Sequence, residues 1–180
     1  MRIISGAARG RPLAAPPGRA TRPTSDRTRE ALFSTLEALR GPLAGARVLD
    51  LYAGSGAVGL EALSRGAGYV VLVERDPRAV RTLRQNVEAV GLPGAQVQAT
   101  AVDRVTEGDF DVVFADPPYA EAVDLARIAA HASPGGLVVV ERSARDAPLE
   151  WPREVEALRD RRYGEGTLWY GRRGAEGEGT

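Results

Sequence analysis

Two stretches of this 180-residue chain carry residues whose types and spacing suit chemistry. One is Asp116-Pro117-Pro118-Tyr119, which follows the apolar run Phe110-Asp111-Val112-Val113-Phe114-Ala115. A β-branched and aromatic run that breaks into a double proline reads as a buried strand with an abrupt end. Proline fixes φ, lacks an N–H and disfavours helix in the residue before it. The break aims a carboxylate, two ring-flanked carbonyls and an aromatic ring out of the edge of a sheet, where open α/β sheets bind ligands. Taken alone, the same four residues also fit a plain strand stop with Tyr119 packed nearby.

The other stretch is Ala53-Gly54-Ser55-Gly56-Ala57-Val58-Gly59, with the strand-like Arg47 to Tyr52 before it and a helical pattern after it. Its glycines allow a tight turn and close backbone approach, and the following helix offers unpaired N–H groups to an anion. Glu74 ends the next apolar run, 20 residues beyond Gly54, where an acid binds ribose hydroxyls. Strand, loop, helix and acid together point to a nucleoside cofactor, and NAD and S-adenosylmethionine both present an adenosine to such an edge. Asp50 tilts the choice, because a carboxylate in the leading strand can meet a positively charged amino-acid moiety, whereas a pyrophosphate gains nothing from it. In a doubly wound sheet the loops after the first and fourth strands flank the switch point, so these two stretches are expected to face one another.

The elements that must position them alternate. Core strands are expected at 47–52, 69–74, 96–101, 110–115 and 136–141, with helices between them at about 57–65, 77–90 and 121–132. Alternation of this kind predicts a parallel, doubly wound α/β sheet with right-handed crossovers. Residues 154–162 and 167–170 flank Tyr163-Gly164-Glu165-Gly166 and form a terminal antiparallel hairpin. Before the first core strand, Arg2-Ile3-Ile4 and Arg11-Pro12-Leu13-Ala14 flank a glycine-containing turn as a small hairpin. A helix then starts near Thr24, Ser25 or Asp26 and buries Leu32, Phe33, Leu36 and Leu39. The organisation expected is an arm over residues 1–20, one domain over 21–173 and a disordered tail over 174–180.

Composition narrows the chemistry further. Without cysteine there is no thiol nucleophile, disulfide or cysteine metal site, and one histidine, His131, makes a histidine metal cluster or a Ser/His/Asp triad improbable. His131 reads as structural or solvated. No metal is expected. No apolar run approaches the roughly 18 residues of a membrane span, and the first residues do not resemble a signal peptide. All 24 basic residues are arginine, which matches phosphate bidentately, although abundant Ala, Gly and Pro point first to genomic bias. The net charge of zero hides an asymmetry. Residues 1–30 hold Arg2, Arg9, Arg11, Arg19, Arg22, Arg27 and Arg29 against Asp26 and Glu30, a candidate contact for a polyanion.

At this point a resemblance becomes specific. Asp50-Leu51-Tyr52-Ala53-Gly54-Ser55-Gly56, Glu74 and Asp116-Pro117-Pro118-Tyr119 resemble the Rossmann-like S-adenosylmethionine-dependent methyltransferases of exocyclic amines. Arg2-Ile3-Ile4-Ser5-Gly6, Arg9-Gly10-Arg11 and the block from Thr21-Arg22-Pro23-Thr24 to Phe33 narrow it to the bacterial 16S rRNA guanine-N2 methyltransferases, over nearly residues 1–171. The resemblance implies a mostly parallel seven-stranded sheet with the C-terminal hairpin and the N-terminal hairpin extension. It implies S-adenosylmethionine held by Asp50, Tyr52, Ala53, Gly54, Ser55, Gly56, Glu74, Arg75 and Asp116, with Thr24 and Arg27 over its carboxylate. It implies catalysis by Asp116, Pro117, Pro118 and Tyr119, and rRNA phosphates on Arg2, Arg9, Arg11, Arg19 and Arg22. The partner is then 16S rRNA within an assembled or partly assembled small subunit, in the cytoplasm and away from any membrane.

One departure concerns adenine. Such families commonly carry an acid at the end of the third strand, whereas Gln98-Ala99-Thr100-Ala101-Val102-Asp103 stands here. Thr100, the Ala101 backbone or Asp103 must take that contact. Three other functions fit the same chain less well. Against a DNA adenine-N6 methyltransferase, no extra target-recognition domain is visible in the 180 residues. A non-catalytic rRNA-binding assembly factor would not need both motifs intact, and an NAD oxidoreductase would need a proton-transfer residue that is not evident.

Overall fold

Apolar runs form the buried strands of the sheet. A computed structural model of the chain describes residues 1–17, 25–119 and 121–175. In chain order these form α1 (Asp26–Arg40), β1 (Arg47–Leu51), α2 (Ala57–Ser64), β2 (Tyr69–Glu74), α3 (Pro77–Val90), β3 (Ala95–Ala99) and a 3-10 turn (Val102–Arg104). Then come β4 (Phe110–Ala115), α4 (Leu125–Ala130), β5 (Ala132–Ser143), β6 (Val155–Tyr163) and β7 (Gly166–Arg173). The strands make one sheet in the order β3-β2-β1-β4-β5-β7-β6. β1–β2, β2–β3 and β4–β5 pair in parallel, and β7 is antiparallel to both β5 and β6. The expected α/β class, mostly parallel sheet and terminal antiparallel pair are all present. The chain clusters into two compact units, Met1–Val105 and Thr106–Thr180.

In the first unit, β1 and β2 are covered on both faces, as parallel strands require. Val48, Leu49, Leu51 and Val70 through Val73 are all buried. Removing each such side chain from water stabilises the fold by roughly 1.5–3 kcal/mol. The Ser25 hydroxyl caps α1 by accepting the Thr28 N–H at 3.1 Å, and the helix buries Leu32, Phe33 and Leu36 beneath it. Asp76 caps α3 with Pro77 at its first turn, where a missing N–H costs nothing. The N-terminal segment folds back on itself through an Arg2–Pro12 bridge. Ile3 and Arg11, Gly10 and Ile3, and Leu13 and Met1 add backbone hydrogen bonds of 2.9 Å.

That segment is fastened to α2. The Glu61 carboxylate, itself fully buried, accepts the N–H groups of Ile4 at 2.8 Å and Ser5 at 3.0 Å. Ser64 accepts from Ala7 through its carbonyl at 2.8 Å and from Ala8 through its hydroxyl at 2.9 Å. Gly6 makes the approach possible, because a Cβ there would lie 1.7 Å from the Ser64 carbonyl oxygen.

In the second unit, β4 and β5 bury Phe110, Val112 to Ala115 and Leu137 to Val140. Two elements differ from expectation. α4 is shorter than the helix expected over 121–132. Glu121 is spent in a turn, its N–H donating to the Pro118 carbonyl at 3.0 Å, and the Asp124 side chain starts the helix by accepting from Arg127. β5 is longer than 136–141, because its pairing with β4 begins at Ala132, skips through Ser133–Gly136 and resumes at Leu137. His131 ends α4 and is buried, with Nδ1 2.7 Å from the Glu107 carbonyl oxygen, which makes it structural. Gly174, expected in a loose tail, donates its N–H to the Glu154 carbonyl at 2.8 Å. The remainder of that tail, 176–180, lies outside the described residues.

Candidate functional site

β1 delivers the chain into the glycine loop through a backbone that ordinary residues avoid. Tyr52 has φ 62°, a left-handed conformation that costs a non-glycine residue about 1–3 kcal/mol and concentrates at functional sites. The loop closes by a bond from the Gly56 N–H to the Ala53 carbonyl at 2.8 Å. Gly56 then starts α2 with no side-chain cap, leaving the first turn of the helix without a competing acceptor from its own cap residue. A Cβ on Gly56 would lie 2.4 Å from Leu83, and one on Gly59 would lie 2.6 Å from Leu72. Glycine at these two positions therefore lets the helix pack against strand and neighbouring helix.

Three buried polar side chains hold this loop from outside it. One Glu74 oxygen accepts the Gly54 N–H at 2.9 Å, and the other accepts those of Arg75 and Asp76, both at 2.9 Å. One Asp50 oxygen accepts the Gly59 N–H at 2.9 Å. Burial pushes the Asp50 carboxyl up to about 7; the Gly59 bond opposes the shift, and the charge of Glu74 adds to it. Asn86, from α3, donates to the Ser55 carbonyl at 2.8 Å. Near the end of β3, the half-buried Thr100 donates its N–H to the Gln98 carbonyl, Ala101 leads into the 3-10 turn, and Asp103 and Arg75 are exposed.

In the second unit, β4 ends as expected at Ala115. Asp116 is half-buried, Pro117 buried and Pro118 half-buried, and the Pro118 carbonyl closes the turn onto Glu121. The Tyr119 ring is 65% exposed, against the general tendency to cover an aromatic of this size.

The arginines of the arm divide by task. Arg29 is buried, its guanidinium donating to the Arg2 carbonyl and lying 3.8 Å from the Glu61 carboxylate. Arg11 caps α3, donating to the carbonyls of Ala89, at 3.1 Å, and Val90. A side chain expected on RNA is thus exposed and also closes the end of α3. Arg2, Arg9 and Arg27 are exposed; Arg2 lies 3.7 Å from Asp26. Arg2 and Arg9 border a cavity of about 200 Å³ with Ile3, Ile4, Gly10 and Asp26. Arg19, Arg22 and Thr24 lie outside the described residues.

The protein family described as conserved hypothetical protein 95 matches residues 1–172. The chain belongs to that family. It is 32% identical over 176 residues to the ribosomal RNA small subunit methyltransferase D of Haemophilus influenzae, covering 91% of this chain and 89% of that protein. The solved structure of yhhF from Escherichia coli superposes with a TM-score of 0.84 at 31% identity, over 98% of this chain and 99% of the other. The Thermus thermophilus 16S rRNA N2 methyltransferase RsmC, solved in complex with AdoMet and guanosine, superposes with a TM-score of 0.65 at 26% identity. That match covers 86% of this chain and 45% of RsmC. The sheet is accordingly that of the Rossmann-like methyltransferases.

Glu61, Ser64 and Asn86 were not among the residues singled out from sequence. A signal for them exists. In α2 a glutamate and a serine interrupt an otherwise apolar helix, and in α3 Asn86 falls on the buried face with Val80, Leu83 and Val90. A polar residue at a buried helical position implies a hydrogen-bonding partner. Its identity, more than 50 residues away for Glu61 and 72 for Ala14 and Asn86, is not visible in the pattern.

Among the described residues no helix is long and apolar enough to cross a membrane, and no cluster of three or more His, Asp or Glu is arranged to hold a metal.

Proposed function

We propose that this protein transfers a methyl group from S-adenosylmethionine to the exocyclic N2 amine of a guanine in 16S rRNA. The observation that carries the reading is the end of β4, where the half-buried Asp116 is followed by the exposed ring of Tyr119. The name of the Haemophilus relative supports the rRNA substrate, and the Thermus complex supports the donor and the base.

The residues present suit that donor. Glu74 accepts the N–H groups of Gly54, Arg75 and Asp76, which fixes its carboxylate beside the loop, where an acid meets a ribose hydroxyl. The backbone of Tyr52, Ala53, Gly54, Ser55 and Gly56 gives close approach at the helix start. Asp50 supplies negative charge toward the amino-acid end, Arg75, Thr100 and Ala101 border the adenosine, and Thr24 and Arg27 cover the carboxylate. Arg2, Arg9 and Arg19, on the arm over residues 1–20, and Arg22 just beyond it contact rRNA phosphates. The enzyme works in the cytoplasm on assembled or partly assembled small subunits, with no metal.

A guanine amine is a poor nucleophile because its lone pair is delocalised into the ring. Asp116 and the Pro117 carbonyl accept its N–H groups and favour a pyramidal nitrogen whose lone pair is directed outward. Tyr119 stacks on the base once it has left its own stack. Bound S-adenosylmethionine supplies an electrophilic methyl: the nitrogen lone pair forms the N–C bond while the C–S electron pair stays with sulfur. The methylated nitrogen then loses its proton to Asp116 or water. Much of the acceleration is alignment, for which effective molarities are large.

Incubation with labelled donor and either naked 16S rRNA, undermodified small subunits or DNA, followed by nucleoside analysis, tests the reading. Labelled N2-methylguanosine is expected. N6-methyladenine in DNA would replace it, and RNA binding without label transfer would leave an assembly factor.

A further inference from the structure

Asn86 is 2% exposed, and its amide joins three segments that are remote in sequence. Oδ1 accepts the Ala14 N–H at 2.8 Å, while Nδ2 donates to the Ala14 carbonyl at 2.9 Å and to the Ser55 carbonyl at 2.8 Å. We propose that Asn86 is a positioning residue that couples the N-terminal arm to the glycine loop, so that RNA held by the arm tightens the grip on the methyl donor, and the reverse. The inference rests on the proposed function, in which the loop meets the donor and the arm meets RNA.

The chemistry of the three contacts is selective. They require one acceptor and two donors on one short, planar group, which an amide provides and a carboxylate does not. Ala14 is held at both its N–H and its carbonyl, as it would be by a neighbouring strand, so its backbone is fixed in place. The Ser55 carbonyl belongs to the same rigid peptide unit as the Gly56 N–H. That N–H closes the loop onto Ala53, and the Gly56 carbonyl accepts the first bond of α2 from Leu60 at 2.9 Å. Holding the Ser55 oxygen therefore sets the orientation of the peptide on which the loop turns. The arm meets the same structure again through Glu61 and Ser64, which fasten residues 4 to 8 to α2. A loop and an arm that order each other share one ordering cost, and whichever ligand arrives first lowers it for the second. Such a coupling is reciprocal by linkage.

The measurement is the dissociation constant of S-adenosylmethionine, by calorimetry, with and without a saturating 16S rRNA fragment, for the wild type, Asn86→Ala and Asn86→Asp. In the wild type, RNA is expected to tighten the donor by about 5-fold or more, the lower end of typical allosteric coupling. In both variants the ratio should fall to about one. Asn86→Asp is close to isosteric and keeps the acceptor for Ala14, but it sets a carboxylate against two carbonyls and loses the ratio all the same. A merely structural Asn86 would lower stability or both affinities and leave the ratio unchanged, and that result would overturn the proposal. Should a variant fail to fold, hydrogen exchange in the wild type decides. Amides of residues 54–56 should exchange more slowly when RNA is added, and unchanged exchange overturns the coupling. A wild type that binds donor and RNA with a ratio of one sinks the inference alone, whereas one that binds no donor sinks the proposed function.

Discussion

The two chemistry-bearing segments differ in how far their side chains are buried. Around the glycine loop, Glu74, Asp50 and Asn86 are all buried and all bonded to backbone within the loop, its adjoining strand end or the first turns of α2. After β4, Asp116 is half-buried and Tyr119 stands open to solvent. A loop held from behind by buried side chains takes its geometry from the protein around it, the arm bonded to Asn86 included. A segment that presents a half-buried carboxylate and an exposed ring offers them to whatever docks there. The N-terminal arginines repeat the contrast on a smaller scale: Arg29 in α1 is buried, Arg11 is exposed but bonded to the end of α3, and Arg2 and Arg9 are exposed.

The sharpest way to break the comparison is at Asp116. If the β4 end acts on the amine and the loop holds the donor, Asp116→Ala should lower kcat by roughly 10²–10³, the cost of losing a preorganised charge-stabilising contact. The donor dissociation constant should change far less, and near-normal turnover would remove Asp116 from the reaction. Tyr119 comes next. Base–aromatic stacking is worth about 1–3 kcal/mol, so Tyr119→Ala should lower kcat/KM by roughly 5- to 150-fold. Tyr119→Phe should restore it, since the ring and not the hydroxyl does the stacking. Because the ring is exposed, the melting temperature of either variant should match the wild type; a marked drop would return Tyr119 to a packing role.

Much of the fold was legible because parallel strands buried on both faces read as unbroken apolar runs, and β1, β2 and β4 fall within a residue of expectation. Boundaries failed where local and tertiary signals compete. Ser133-Pro134-Gly135-Gly136 reads as a turn, yet the chain is drawn out there beside β4 as an irregular length of strand. Asp124 and the Pro118 turn truncate α4 from a side that a helical pattern does not report. The glycine loop was legible because its backbone demands glycine. The wiring behind it was not, because an asparagine's partners lie 31 and 72 residues away and no local period encodes them. Charge counting treated the seven arginines of residues 1–30 alike. Which of them bond within the protein depends on where carbonyls and carboxylates end up, as Arg11 on the α3 terminus and Arg29 beside Glu61 illustrate.

The buried side of the comparison can be sharpened with pH. Burial raises the folded-state value of Asp50 from 3.8 to about 7, so the folded protein holds a proton that the unfolded chain has released. Its contribution to stability is full below about 4 and is lost as pH rises through about 7. A cationic donor favours the ionised form, so binding should release a proton near pH 6, and donor affinity should rise between pH 6 and 8 by up to about tenfold. Asp50→Asn should flatten both slopes and bind the donor more weakly at pH 8. An affinity that does not vary with pH in the wild type would place the cation away from Asp50.

The smallest effects test the contrast inside the arm. Arg9→Ala should reduce the slope of log affinity for RNA against log salt by about 0.7–0.9, one phosphate contact, and leave the melting temperature unchanged. Arg11→Ala should do the reverse. Losing its bonds to the last carbonyls of α3 should cost about 1 kcal/mol, or roughly 2–4 °C for a protein of this size, with the salt slope intact. The pair is informative because the two residues are near neighbours of equal charge, so any generic electrostatic effect of removing an arginine would appear in both. If Arg11→Ala also flattens the salt slope, its guanidinium leaves the α3 carbonyls when RNA binds, and the division into arginines bonded within the protein and arginines open to RNA fails.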